Sequence, residues 1–123
     1  EFYLKAIEVY KDSKCYKKLS LCFKRIGDYE NASQAILNSI KFFPDNINLL
    51  FIGSVLCKKA KNYTFAIELG EKFRLYHPEH VNNLVNLADT YRLIENRDSF
   101  KQILHLIKEI SPDNGKLVKL ERL

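Results

Sequence analysis

The stretch KFFPDN at 41–46 has two counterparts further along the chain, RLYHPEH at 74–80 and KEISPDN at 108–114. Together they hold the only three prolines of the 123 residues, Pro44, Pro78 and Pro112, each 34 positions from the next. Each proline closes a run rich in Ile, Leu, Phe or Tyr. A proline ring removes a backbone donor and pushes the preceding residue out of the α region, so each one predicts a helix end. Asp45, Glu79 and Asp113 follow, carboxylates of the kind favoured where the next helix begins.

A real period has to hold at other positions too. With units 13–46, 47–80 and 81–114, position 8 is Ser20, Ser54 and Ala88, all small. Position 7 is Leu19, Gly53 and Leu87, and position 11 is Phe23, Cys57 and Tyr91. Position 17 is Tyr29, Tyr63 and Arg97, and position 20 is Ala32, Ala66 and Phe100. Within each unit apolar residues recur at spacings of three and four, as at Ile36, Leu37, Ile40 and at Ile103, Leu104, Ile107. Two helices per unit are predicted: 14–26 and 29–43, 47–59 and 63–76, 81–94 and 98–110. Turns at Gly27-Asp28, Lys61-Asn62 and Asn96-Arg97 separate them.

These residues resemble the tetratricopeptide repeat, a 34-residue pair of antiparallel helices with small residues at positions 8 and 20 and proline at 32. The matching residues are Tyr16, Leu19, Ser20, Phe23, Gly27, Tyr29, Ala32 and Pro44, then Leu50, Ser54, Tyr63, Ala66 and Pro78. In the third unit they are Leu84, Leu87, Ala88, Tyr91 and Pro112, with Phe100 where a small residue is expected. Position 27, small in the family, is Ser39, Phe73 and Ile107. The resemblance implies an all-α fold, an α-α superhelix in the form of a right-handed solenoid. Residues 1–12 then read as the second helix of a preceding unit, and 115–123 as a capping helix or the first helix of a following one. The chain does not begin with Met, and a piece of a longer protein is expected.

Composition fits this reading. Apolar residues make up 46%, enough for a core, while four glycines and three prolines are too few for a turn-rich all-β design. The net charge of +5 is spread as +2, +2 and +1 over 1–46, 47–80 and 81–123, so no basic tail demands nucleic acid. Cys15 and Cys22 are seven apart on one predicted helix, roughly 10 Å along its axis and beyond disulfide reach. Buried thiols at Cys15, Cys22 and Cys57 suit a reducing compartment such as the cytoplasm, although a parent protein with its own N-terminus could be exported. No apolar run approaches the roughly 20 residues of a membrane span, so this segment is not expected to insert in a bilayer.

In a solenoid each repeat buries its face against its neighbours and leaves an extended concave surface. The resemblance implies that first helices line it through unit positions 2, 5, 6, 9, 12 and 13. The first unit then contributes Lys14, Lys17, Lys18, Leu21, Lys24 and Arg25. The second contributes Asn48, Phe51, Ile52, Val55, Lys58 and Lys59, and the third Asn82, Val85, Asn86, Asp89, Arg92 and Leu93. Five cations on one helix face repel one another, a cost that a partner carboxylate or phosphate would offset. Phe51, Ile52 and Val55 would form an apolar patch beside them. The expected partner is a protein or peptide with acidic residues around an apolar anchor, the chain acting as a scaffold or adaptor; an extended peptide, a helix in the groove and another solenoid pairing through exposed end repeats all stay open. The alternative is RNA binding by the Lys-rich helix, which lacks the interleaved aromatics that single-strand stacking requires. The family's two-carboxylate clamp for chaperone tails is absent in this register. Lys17 fits it, but Leu21, Ile52, Asn82 and Asn86 replace its other members.

No catalytic constellation is visible. A P-loop and a glycine-rich dinucleotide fingerprint are missing. His77 and His80 flank Pro78 without a nearby cysteine, and His105 belongs to another unit, so neither metal nor cofactor is expected. Tyr29 and Tyr63 recur at one repeat position, which points to packing and not to chemistry.

Overall fold

The computed structural model describes Lys18, Leu21 and residues 24–121, the Val118 side chain excepted. Among the described residues six helices follow one another: α1 (Tyr29–Phe42), α2 (Ile47–Lys59), α3 (Tyr63–Tyr76), α4 (Val81–Leu93), α5 (Arg97–Ile110) and α6 (Gly115–Glu121). Lys18, Leu21, Lys24 and Arg25 are helical as well, ahead of the turn at Gly27. Among the described residues there is no strand. Each helix packs on the one before and the one after, so the chain is an all-α stack of consecutive helix pairs. Tyr16, Leu19, Ser20, Phe23, Cys15 and Cys22 lie outside the described residues.

The three proline motifs build the same turn each time. The helix closes with Phe43, His77 and Ser111 donating N–H to Ser39, Phe73 and Ile107 carbonyls at 2.9, 3.0 and 2.8 Å. Proline then occupies the second position of a β-turn, closed by Asn46→Phe43, His80→His77 and Asn114→Ser111 backbone bonds of 3.1, 3.3 and 3.2 Å. The last residue of each turn is also an N-cap: Asn46 Oδ1 accepts from Leu49 N–H, His80 Nδ1 from Asn83 N–H, and Asn114 Oδ1 from Lys116 N–H. The acidic residue after each proline thus stands one place before the cap.

Turns within a unit are equally regular. Asp28, Asn62 and Asn96 cap the second helices by accepting from Asn31, Phe65 and Ser99 N–H. The first helices end left-handed at Gly27 (φ 77°), Lys61 (φ 64°) and Glu95 (φ 61°). At Lys61 the N–H bonds to Lys58 O and the next, Asn62 N–H, to Cys57 O, the paired closure that satisfies a helix's last carbonyls. Glu95 and Asn96 repeat it on Arg92 and Tyr91.

The core runs through the stack. Ala32, Ile36, Leu49 and Leu56 form one buried cluster, with Tyr29 and Ile52 packed on it. Leu50, Cys57, Ala66, Leu69 and Phe73 form the next, and Leu84, Ala88, Ile103, Ile107, Leu117 and Leu120 the third. Small residues set the helix spacing. A Cβ on Gly53 would lie 2.8 Å from Leu69 Cδ1 and 2.9 Å from Ile36 Cγ2, and one on Gly70 would lie 2.6 Å from Leu87 Cδ2. Neighbouring side chains fill the space each glycine leaves. Phe73 and Ile107, bulky at a position small in the family, are both buried.

Between α2–α3 and α4 the packing becomes polar. Ser54 Oγ donates to Ala66 O at 2.7 Å and accepts from Asn86 Nδ2 at 3.1 Å. Asn83 Nδ2 donates to Gly70 O at 3.1 Å, and Thr90 Oγ1 to Asn86 O at 2.7 Å. All of these residues are buried, so every bond replaces water that the site excludes. Ion pairs add to the stacking: Lys108 Nζ meets Glu121 Oε1 at 2.5 Å between α5 and α6. Lys59 Nζ also stands 5.3 Å from the Tyr29 ring centre.

Candidate functional site on the first helices

The register places Leu21, Val55 and Asp89 at one repeat position and Lys24, Lys58 and Arg92 at another. The structure shows what these rows do. Leu21, Lys24, Phe51, Ile52, Val55 and Leu56 line one apolar cleft of about 120 Å³. Ile52 leans on the buried cluster below, and Phe51 is half-buried, its ring 5.4 Å from Phe73 and 5.1 Å from His80. Leu21 keeps 36% of its surface exposed. The cleft is on the scale of one aliphatic side chain, with a cation at its lip.

Next along the face is a charged cluster. Asp89 Oδ2 accepts from Lys58 Nζ at 3.0 Å, across two units, and its Oδ1 accepts from Arg92 at 2.7 and 3.2 Å. Burial raises the Asp89 pKa, but the hydrogen bonds and charges of Arg92 and Lys58 outweigh it and hold the carboxyl below its usual range. The two cations are therefore already neutralised in part from within. Lys18, Lys24 and Arg25 are exposed, and among the described residues none of them has an ion-pair partner.

The remaining expected residues divide. Asn48 and Asn82 are exposed, and Asn82 Oδ1 accepts from Lys116 Nζ at 3.0 Å. Asn86 needs correction as a surface contact: it is 7% exposed and its amide is spent on Ser54 in the polar seam. Lys14 and Lys17 lie outside the described residues. Sequence reasoning missed the role of His80, whose Nδ1 caps α4 and whose ring packs 5.0 Å from Phe73. The signal was there, because His80 stands where Asn46 and Asn114 stand in the other units. Among the described residues no group of His, Cys, Asp and Glu is arranged to hold a metal, and no helix is long and apolar enough to cross a membrane. Cys57 is buried, and burial pushes its thiol up to about 11, which makes it a packing group and not a nucleophile.

This architecture has clear counterparts among solved structures. YrrB, described as a TPR protein with an unusual peptide-binding site, superposes with a TM-score of 0.83 at 15% identity over 91% of this chain and 58% of its own. The fold is that of a tetratricopeptide-repeat solenoid. MamA of MSR-1 matches at a TM-score of 0.81 and 18% identity, covering 89% of this chain and 63% of its own. MamA from Desulfovibrio magneticus RS-1 gives 0.80 and 17%, covering 87% and 60%. The chain thus spans less than two thirds of the length of these structures. No family model matches the sequence, and no curated protein matches it either.

Proposed function

We propose that this solenoid is a non-catalytic protein-interaction module, a scaffold or adaptor segment that takes an extended partner segment along its first-helix face. The observation that carries the reading is the apolar cleft of Leu21, Phe51, Ile52 and Val55 with Lys24 at its lip and Lys58 and Arg92 beyond. One apolar side chain seated there would gain about 0.8 kcal/mol for each methylene it buries. Carboxylates to either side would meet Lys18, Lys24 and Arg25, which have no ion-pair partner among the described residues, and would compete with Asp89 for Lys58 and Arg92. The partner is accordingly a segment with acidic residues around an apolar anchor. A peptide site in YrrB supports the general idea that this fold serves such recognition.

A photo-crosslinking amino acid at Val55, compared with one at Leu75 on a second helix, tests this. Leu75 is 82% exposed and stands outside the cleft. With the protein as it exists in the cell, the Val55 probe is expected to capture a partner that the Leu75 probe does not, and Val55→Asp to abolish binding of that partner without lowering the melting temperature by more than a few degrees. Capture from Leu75 alone, or undiminished binding by Val55→Asp, overturns the reading.

A further inference from the structure

A second cleft, of about 420 Å³, opens at the turn between α4 and α5 and is lined by Arg92, Glu95, Arg97, Phe100 and Lys101. Its origin is a paired departure from the repeat. In the first unit the aromatic at position 17, Tyr29, packs on the cluster of Ala32, Ile36, Leu49 and Leu56, and position 20 is the fully buried Ala32. In the third unit the aromatic sits three residues later, as Phe100, half-buried against the cluster of Leu84, Ala88, Ile103 and Ile107. Residues three apart share one helix face, so the ring has moved one turn and position 17 is released from packing. Arg97 occupies it and is exposed. Position 21, a buried serine at Ser33, is an exposed lysine at Lys101.

The result is an aromatic floor with three cations and one carboxylate around it. Arg92 is held by Asp89. Neither Arg97 nor Lys101 has an ion-pair partner among the described residues, and no ion pair joins Glu95 to either. Glu95, left-handed at φ 61° and exposed, stands at the rim. Arg92 belongs to this cleft and to the charged cluster on the first-helix face, so the two surfaces are continuous.

We propose that this cleft is a second docking subsite, for an acidic stretch of the same protein partner as it passes beyond Arg92, with carboxylates on Arg97 and Lys101 and an apolar group over Phe100. The proposal rests on the interaction-module reading and adds a separate anchor to it. The test uses a synthetic acetylated peptide with aspartates around one leucine, titrated into isotope-labelled protein and followed by amide shifts. Arg97–Lys101 amides are expected to move and saturate, and Arg97→Glu with Lys101→Glu to weaken the binding read there by about tenfold or more. The pair Lys41→Glu with Lys61→Glu changes net charge equally and is expected to cost less than threefold. All four positions are exposed, so the variants keep the fold.

Equal losses in both pairs, or shifts confined to the Leu21–Val55 cleft, overturn the second subsite and leave the first reading standing. Shifts at neither cleft overturn both. Inorganic phosphate and a mixed-sequence single-stranded RNA serve as rival probes; tighter RNA binding that is lost in Arg97→Glu with Lys101→Glu overturns the protein partner in favour of nucleic acid.

Discussion

Asp89→Asn is the most telling single change, because stability and binding should move in opposite directions. The carboxylate is 25% exposed, with Lys58 at 21% and Arg92 at 35%. That lies between a surface pair, worth about 0–1 kcal/mol, and a fully buried one, whose breakage costs about 3–5. Asparagine keeps an acceptor, and both cations can still reach water, so the expected loss is about 1–2 kcal/mol at pH 7. For a chain of this length that is a melting-temperature fall of about 3–10 °C. The pH dependence follows from the direction of the shift. The folded-state pKa of Asp89 is below the unfolded value, so its contribution is complete above pH ~4 and disappears as pH falls through the folded pKa. The gap between wild type and variant in urea unfolding should therefore be constant near neutrality and close under strong acid. Meanwhile Lys58 and Arg92 lose their internal counter-ion, and an acidic peptide should bind about five- to tenfold more tightly, a gain of roughly 1–1.4 kcal/mol. An undiminished gap at pH 2, or weaker peptide binding by the variant, would refute the reasoning.

Three further outcomes are expected. Gly70→Ala gains about 1 kcal/mol of helix propensity but drives a methyl to 2.6 Å from Leu87 Cδ2 and 3.0 Å from Ser54 Oγ, both held by buried packing or hydrogen bonds. Overpacking at about 1–3 kcal/mol should win, and a thermal-melt double-mutant cycle with Leu87→Ala should show a less-than-additive loss; a stabilised Gly70→Ala would contradict the packing. His80→Asn and His80→Ala both remove the ring, so their difference isolates the cap: the asparagine variant should be more stable by about 1 kcal/mol in denaturant titration, and equality would discount the bond to Asn83. Cys57 should resist iodoacetamide at pH 8 in the native protein and react on unfolding, as mass mapping of its peptide would show. Because its pKa is raised, its share of stability holds below pH ~9 and is lost as pH climbs towards about 11.

The helices and their order were legible because prolines and small residues recur on one period, and a local rule acts wherever the residue occurs. The capping residues Asp28, Asn62 and Asn96, and Asn46, His80 and Asn114, obey equally local rules and share the same register, yet the sequence reading marked turns there and none of them as a cap. The surface was less so. Asn86 occupies a position that the register assigns to the exposed face, yet Ser54 draws it into the seam, and that depends on a contact 32 residues away. Asp89 was one groove position among several in the sequence, and only folding brought Lys58 to within 3.0 Å of it. The large cleft was hidden for a similar reason: Arg97 stood at position 17 without remark, Phe100 stood where a small residue is expected, and only their shared helix face makes them one exchange.

The seam of Ser54, Asn83 and Asn86 has a consequence for any partner. Apolar contacts between stacked helices tolerate small slips, whereas directional bonds to Gly70 O and Ser54 Oγ are satisfied at one offset only. They work as an indexing notch, locking the pitch at which α4 follows α2 and with it the separation of Val55 from Asp89. On the proposed reading a ligand would meet a ruler whose graduations are already spaced, and little of its binding energy would go into arranging them.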